Sequence, residues 1–364
     1  MKTTSKFVVS ILILSLCACS SNAVLPQPTL APTASLENTP EQTATTSADY
    51  PSALPETEIL LLNLPERFGD ASFEYSGLGW YEDNLILLPQ YPAGKDFSRE
   101  AALFSISKSE LVQNINQPDY ELSVREVPIL NSDLRSKIRG FEGFESILFV
   151  ENDVYLTIES RAGSPMMGYL IKGVVDGDLT SITLDPDSLI ELTPFTSESN
   201  ASFETMTYWD GCLYIIYEHN SNKDGSQPRA YQFNLEDGLL KEVAFPELDF
   251  RVTDATNMDA NGRFWVINYF YPGDTHLAVN QDLLVLEYGE GHTHGENETV
   301  ERLVELQVED GQVSRIDQAP LYLQLLDDNT ARNWEGIVRL DDLGFVVVTD
   351  SFPDSLLGFY SIIR

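Results

Sequence analysis

Five oxygen-bearing side chains stand at matching places in this 364-residue chain, and their chemistry is that of a hard-cation site. They are Ser76, Glu145, Glu204, Asp254 and Glu335. If a fold gathers the four carboxylates, two unit charges 4 Å apart repel by about 4 kcal/mol at an effective dielectric constant of 20. Such a cluster must take up protons or bind a cation. Because all five ligands are oxygens, without His or Cys, they predict calcium over zinc.

A structural role for the same acids stays open as the alternative interpretation. Each carboxylate could accept hydrogen bonds from neighbouring backbone amides, and it would then need no metal. The two interpretations differ in where the carboxylate oxygens point, which the sequence does not specify.

A second set of polar residues follows the first set by fourteen or fifteen positions: Gln90, Glu159, Glu218, Asn268 with Tyr269, and Asp350. Three arginines lie within three residues of one set or the other: Arg161, Arg251 and Arg332. We predict Glu159, Glu218, Asp350 and Arg251 as catalytic residues, and all three arginines as ligands of an anionic substrate. Carboxylates, arginines and a metal are together typical of phosphoester hydrolysis. The alternative is that each arginine pairs with a neighbouring carboxylate.

The elements that position these residues are five copies of one pattern, an apolar run, a polar turn and a second apolar run. The copies are residues 76–90, 145–159, 204–218, 254–269 and 335–350. The first residue precedes the second apolar run by nine positions in the first three copies and by ten in the last two. Each copy predicts a β-hairpin whose second strand is buried on both faces.

Weaker strands are predicted between the hairpins, in GYLIKGVV, RAYQFNL, LLKEVAF, DLLVLEY and ERLVELQV. An inner hairpin with two outer strands, repeated about every 60 residues, is the blade of a β-propeller, an all-β fold. We predict five four-stranded blades, and 270–333 is long enough to leave a sixth open. Pairing of residues 57–64 with 355–363 would close the ring. The first residues of the inner strands would then converge on the axis, and the ends of the second strands would surround them.

The N-terminus predicts export and a lipid anchor. Residues 1–19 have two lysines and a short apolar run, as in a secretory signal, and they end Leu16-Cys17-Ala18-Cys19. That ending resembles the bacterial lipobox, which implies acylation of Cys19 and attachment to the extracytoplasmic face of the cell membrane. An ordinary cleaved signal is the alternative. Residues 20–56, rich in Ser, Thr and Pro, predict a disordered tether, and the propeller domain is predicted over 57–364.

Charge and cysteine content narrow the classes of partner. The chain has 57 Asp and Glu against 22 Lys and Arg, a formal net charge of −35. A field of this sign repels nucleic acid and anionic lipid. After loss of the signal and acylation of Cys19, Cys212 is the remaining thiol, so no disulfide within the domain is predicted.

Two resemblances add to this interpretation. The segments FEGFESI, NWEGI and VVVTD resemble the bacterial phytase-like propellers, the "esterase-like activity of phytase" group, over residues 57–364. The ring of Ser76, Glu145, Glu204 and Glu335 resembles that of the soluble calcium-activated nucleotidases, or apyrases, which implies a five-bladed fold and calcium held by these four residues. Asp254 stands where that family has Ser, and Pro89-Gln90 where it has Asp-Asp, so nucleotide specificity is not implied.

Two classes of function remain. One is a calcium-dependent phosphoester or phosphoanhydride hydrolase. The other is a non-enzymatic surface propeller in which calcium is structural and the rim binds a glycan or a protein. Arginines clustered over the metal would favour the enzyme, and an aromatic rim with paired arginines would favour binding.

Overall fold

The computed structural model describes residues 53–198, 200–222, 225, 227–328 and 330–362. The predicted signal peptide, Cys19 and residues 20–52 of the predicted tether lie outside the described residues. Among the helices in the described ranges, none is long and apolar enough to cross a membrane.

Strands in these ranges form the five predicted blades of a β-propeller. Blade one contains Tyr75–Tyr81, Asn84–Pro89, Ala102–Ser107 and Arg125–Leu130, and blade two Phe141–Val150, Asp153–Ser160, Met167–Asp176 and Ser181–Leu192. Blade three contains Thr205–Trp209, Cys212–Ile216, Arg229–Asn234 and Leu240–Ala244. Blade four contains Arg251–Ala255, Arg263–Phe270, Val300–Glu309 and Leu321–Leu323, with Gln312–Arg315 beside its third strand. Blade five contains Trp334–Leu340, Gly344–Thr349, Leu357–Ser361 and Leu60–Leu61.

All five predicted hairpins are confirmed, and each forms the two inner strands of its blade. In the described part of 270–333, no sixth blade forms. Residues 300–323 complete blade four instead, and the excursion before them contains the helix Leu283–Tyr288 and a short 3₁₀ turn, His294–Glu296.

The prediction of a strand in DLLVLEY is wrong, because this segment is the helix Leu283–Tyr288. The Asp282 carboxylate accepts hydrogen bonds from the amides of Leu284 and Val285, which caps the helix, and Gly289 follows its last residue. A second helix, Lys108–Asn116, was not predicted. It begins after Ser107, whose hydroxyl accepts a hydrogen bond from the amide of Glu110.

Closure of the ring by the two ends of the domain is confirmed. Leu60 and Leu61 pair antiparallel with Phe359 and Gly358, so the N-terminal segment supplies the outer strand of blade five. The residues just before it pair in parallel with Leu321–Leu323 of blade four, so one segment joins two blades. The Leu54 amide also donates to the carbonyl of Glu290. Contacts of the propeller thus include Leu54, three residues before the predicted boundary at 57.

Hydroxyl side chains on the inner strands join three pairs of neighbouring blades. Ser76 donates to the carbonyl of Phe144, Thr205 to that of Val252, and Thr253 to that of Trp334, at 2.7, 3.3 and 2.7 Å. All three hydroxyl groups are buried, so these bonds satisfy polar groups that are shielded from solvent. Apolar clusters fill the spaces between neighbouring blades, as predicted from the fully buried second strands.

Candidate functional site: an acidic cavity on the propeller axis

A cavity of about 470 Å³ opens where the hairpins of the five blades meet, and we call it the axial cavity. Each blade contributes to its wall, since its lining comprises Gln90, Tyr91, Glu142, Glu145, Glu159, Arg161, Asn200, Glu204, Arg251, Tyr269, Tyr271, Asp274, Asn333, Glu335, Asp350 and Phe352. Three of the five residues predicted as metal ligands are here: Glu145, Glu204 and Glu335. They are joined by two of the predicted catalytic carboxylates, Glu159 and Asp350.

Ser76 and Asp254 do not line this cavity, so the predicted five-membered ring is not assembled. The Ser76 hydroxyl is buried and donates to the Phe144 carbonyl. Asp254 is 2% exposed, and its Oδ2 accepts hydrogen bonds from the amides of Ile337 at 2.8 Å and Leu78 at 3.4 Å. Asp254 thus links blade four to blades five and one through backbone amides, which is the structural role left open as the alternative to metal binding.

Glu218 and Arg332 also lie apart from the cavity. Arg332 is buried, and its guanidinium donates to Glu301 Oε2 from Nε at 3.0 Å and from Nη2 at 2.7 Å. Glu218 is buried and pairs with Arg251 through Oε1. The structure does not bring Arg332, predicted as a substrate ligand, or Glu218, predicted as a catalytic residue, to the cavity wall, because each is paired inside the protein.

In five carboxyl groups of the axial cavity, those of Glu145, Glu159, Glu204, Glu335 and Asp350, burial outweighs any attraction from the nearby arginines and raises the pKa. Burial, with repulsion from Glu159, Glu204 and Glu335, raises the pKa of Glu145 well above its usual value. Burial raises the pKa of Glu204 to about 8 and that of Glu159 to about 7. The pKa values of Glu335 and Asp350 are raised by burial as well. Near neutral pH the cluster is therefore partly protonated unless a cation joins it.

Neutral amides hold several of these carboxyl groups in place. The Gln90 side chain donates from Nε2 to Glu145 Oε1 at 2.8 Å and to Glu159 Oε1 at 3.1 Å. Asn333 donates from Nδ2 to Glu335 Oε1 at 2.5 Å. Gly143 permits the first arrangement, because a Cβ atom there would lie 2.8 Å from the Gln90 carbonyl oxygen and 2.6 Å from its side chain.

Both arginines of the axial cavity are already paired. Arg161 donates to Glu142 Oε2 at 3.0 Å and to Asn200 Oδ1 at 3.0 Å. Arg251 pairs with Glu218 and donates to Asp274 Oδ2 at 3.0 Å. A dianionic substrate would have to compete with these carboxylates for both guanidinium groups.

Aromatic rings form the lip of the cavity. Tyr271 and Phe352 are 46% and 49% exposed, with ring centroids 6.4 Å apart, and they come from the loops of two different blades. Two further rings line the cavity, those of Tyr269, which is buried, and Tyr91, which is half-buried. We did not predict Tyr271, Phe352 or Asn333. Their places in the sequence could have indicated two of them, because Phe352 follows Asp350 by two residues and Asn333 precedes Glu335 by two.

The donor chemistry of the cavity suits calcium, since Glu145, Glu204 and Glu335 offer carboxylate oxygens and little countercharge. The positions of these side chains, however, do not form a metal site. Within the described ranges, no three His, Cys, Asp or Glu side chains are arranged to hold one metal ion. An ion here would need rearranged side chains or water molecules in its shell.

Comparisons with known proteins add little to this geometry. No family model matches the chain, and no curated protein matches it. Among solved structures it is similar to a glucose dehydrogenase, with 13% identity, 84% of this chain and 100% of the other covered, and a TM-score of 0.43. It is also similar to a soluble aldose sugar dehydrogenase from Escherichia coli, with 12% identity, 83% and 98% covered, and a TM-score of 0.40. A xylan beta-1,4-xylosidase from Bacillus halodurans C-125 has 10% identity, 83% and 53% covered, and a TM-score of 0.46. Similarity this low carries no argument about reaction or ligand, and the two predicted family resemblances stay predictions.

Proposed function

We propose that this propeller binds a neutral glycan in its axial cavity. The observation that carries the proposal is the combination of paired arginines with an exposed aromatic lip, Tyr271 and Phe352. The flat apolar face of a pyranose ring can pack on such rings, while its hydroxyl groups bond to carboxyl and amide side chains. A cavity of about 470 Å³ is of the size that small-molecule sites have.

The charge of the cavity supports a neutral ligand over an anionic one. Seven carboxyl groups line the cavity, and its two guanidinium groups are already paired with carboxylates. A phosphate entering it would meet repulsion, whereas a hydroxyl can donate to a carboxylate or accept from a protonated carboxyl.

We expect Phe352→Ala to weaken oligosaccharide binding about tenfold or more, because aromatic anchors carry much of the energy of such contacts. Titration calorimetry with a panel of neutral oligosaccharides measures this. Phe352→Tyr, which keeps the ring, should bind as the parent does. Leu239→Ala removes another exposed apolar side chain, on blade three and 59% exposed, and should have no effect. If Phe352→Ala binds oligosaccharides with the affinity of the parent, the glycan does not bind at this lip.

A calcium-dependent phosphoester or phosphoanhydride hydrolase is the second candidate. The raised pKa values of Glu159 and Glu204 favour it, since acid–base catalysts have pKa values near the working pH. Calcium bound by Glu145, Glu204 and Glu335 would supply charge that draws a phosphate into the cavity. In that case Glu159, held by Gln90, would accept the proton of the attacking water.

Phosphate release from nucleotides, inositol phosphates and aryl phosphates, with calcium and with chelator, tests the second candidate. We expect Glu159→Gln to lower calcium-dependent turnover by about a hundredfold, as loss of a general base does. Lys137→Ala, which removes an exposed side chain outside the cavity lining, serves as the control. Turnover that is absent, or indifferent to both calcium and Glu159, would eliminate the hydrolase.

We also propose that the protein is attached by lipid on Cys19 to the extracytoplasmic face of the membrane. The Leu-Cys-Ala-Cys ending of the predicted signal supports this. When the full-length gene is expressed in a bacterium, Cys19→Ser should move the protein from the membrane fraction to the soluble fraction. Cys212→Ser should leave it in the membrane. If Cys19→Ser stays membrane-bound, the lipid proposal is wrong.

A further inference from the structure

A second cavity, of about 540 Å³, lies within blade four and takes no part in the proposed function. We call it the lateral cavity. It is formed where the excursion 271–299 folds back over the sheet, so that the helix Leu283–Tyr288 makes one wall and the sheet the other.

The wall on the sheet side is aromatic. Phe250 and Phe270 lie there with ring centroids 4.6 Å apart and an interplanar angle of 29°. On the helix side, Val285 and Leu286 complete an apolar channel, and Leu286 is 57% exposed. Such a channel favours a ligand with a flat or aliphatic body.

The positive charge at the base of the lateral cavity is already neutralised. The Arg302 side chain is fully buried and donates to Asp282 from Nη1 at 2.6 Å and from Nη2 at 3.2 Å. It also donates to Asn268 Oδ1 at 2.8 Å. The nearby His294 ring bonds to Glu56 through Nδ1 and accepts the Glu301 amide at Nε2, and burial lowers its pKa, so it stays neutral.

Two other carboxylates that line the lateral cavity form no ion pair with an arginine or lysine of the described residues. Glu290 and Glu298 line it, and among the described residues neither forms an ion pair. Arg302 is the one arginine or lysine of the described lining, so the charge there is net negative. Burial and the neighbouring Asp282 raise the pKa of Glu290, and together they outweigh the attraction of Arg302, which is bound to Asp282.

We propose that the lateral cavity binds a small aromatic or aliphatic amine. Its apolar body packs between the Phe250–Phe270 pair and Leu286, and its ammonium group donates to the Glu290 carboxylate. A charged hydrogen bond in a half-buried place of this kind adds substantially to affinity, and an anionic ligand of the same shape is repelled.

Three probes of one shape test the proposal on the purified full-length protein: 2-phenylethylamine, 2-phenylethanol and 3-phenylpropionate. We expect calorimetry to show binding of the amine, about ten- to a hundredfold weaker binding of the alcohol, and none of the carboxylate. Glu290→Gln should weaken amine binding by a similar factor. Glu296→Gln, an exposed glutamate of the same excursion outside the cavity lining, should not.

Three outcomes would overturn the proposal. They are equal binding of the three probes, no binding of the amine at millimolar concentration, and equal effects of Glu290→Gln and Glu296→Gln. Phe352→Ala separates the two sites, because it should weaken glycan binding at the axial cavity and leave amine binding unchanged.

Discussion

Replacing Glu301 by alanine should lower the free energy of unfolding by about 3–5 kcal/mol, because it breaks a buried ion pair. Glu301 is fully buried and Arg332 nearly so. Glu301 Oε2 accepts hydrogen bonds from Nε and Nη2 of Arg332, and a third from the indole N–H of Trp334 at 2.8 Å. Glu301 Oε1 accepts a hydrogen bond from the backbone amide of Arg332 at 2.9 Å. The variant leaves the buried guanidinium without its carboxylate, with the Gln324 carbonyl as its one remaining acceptor among the described residues, and it leaves the Trp334 indole N–H and the Arg332 amide without their acceptor. Urea unfolding followed by intrinsic fluorescence measures the change.

Glu142→Ala is the matched control, because it removes the partner of a half-exposed arginine. Glu142 pairs with Arg161 at 3.0 Å, and their side chains are 32% and 46% exposed. We expect a loss of no more than about 1 kcal/mol there, since water solvates the remaining charge. Equal losses for the two variants would contradict the account of Arg332 as a buried structural residue.

Raising the pH from about 5 to about 8 in chelator should lower the free energy of unfolding by several kcal/mol. Glutamate titrates near 4.5 in the unfolded chain, whereas burial raises the pKa of Glu159 to about 7 and of Glu204 to about 8 in the folded protein. Between these values the folded state binds protons that the unfolded state has lost, so stability falls as pH rises. Each unit of pKa shift corresponds to about 1.4 kcal/mol.

Glu204→Gln should flatten this pH dependence and stabilise the protein at pH 8, because it removes one charge from the cluster. Glu236→Gln, an exposed glutamate in a turn, is the control and should leave the slope unchanged. If calcium binds the ionised cluster, it should restore stability at pH 8, by about 2.7 kcal/mol at one hundred times its dissociation constant. A flat pH profile in chelator would contradict the explanation that burial raises the pKa values of these carboxyl groups.

The sequence by itself determined the hairpins, the number of blades and the closure of the ring. The hairpins and their number are local features, because a buried second strand shows as a run such as Phe345–Thr349 and repeats once per blade. Closure is not local, but it followed because the last copy is one strand short and the first residues of the domain could supply that strand. The position of Glu145, Glu204 and Glu335 at the axis follows from the same repeat. The helix Leu283–Tyr288 escaped prediction because a short apolar run fits strand and helix alike, and Asp282 decided between them by capping.

Only the tertiary structure decided which polar residues face the axial cavity. Asp254 and Glu335 hold matching places in their repeats, yet their surroundings differ. Asp254 accepts hydrogen bonds from backbone amides of two neighbouring blades, whereas Glu335 lines the axial cavity. Arg332 lies three residues before Glu335, but its partner Glu301 belongs to the sheet of the preceding blade. The lip formed by Tyr271 and Phe352 joins loops of two blades. A side chain's role depends on the groups that pack against it from other blades, and those contacts leave no local pattern in the sequence.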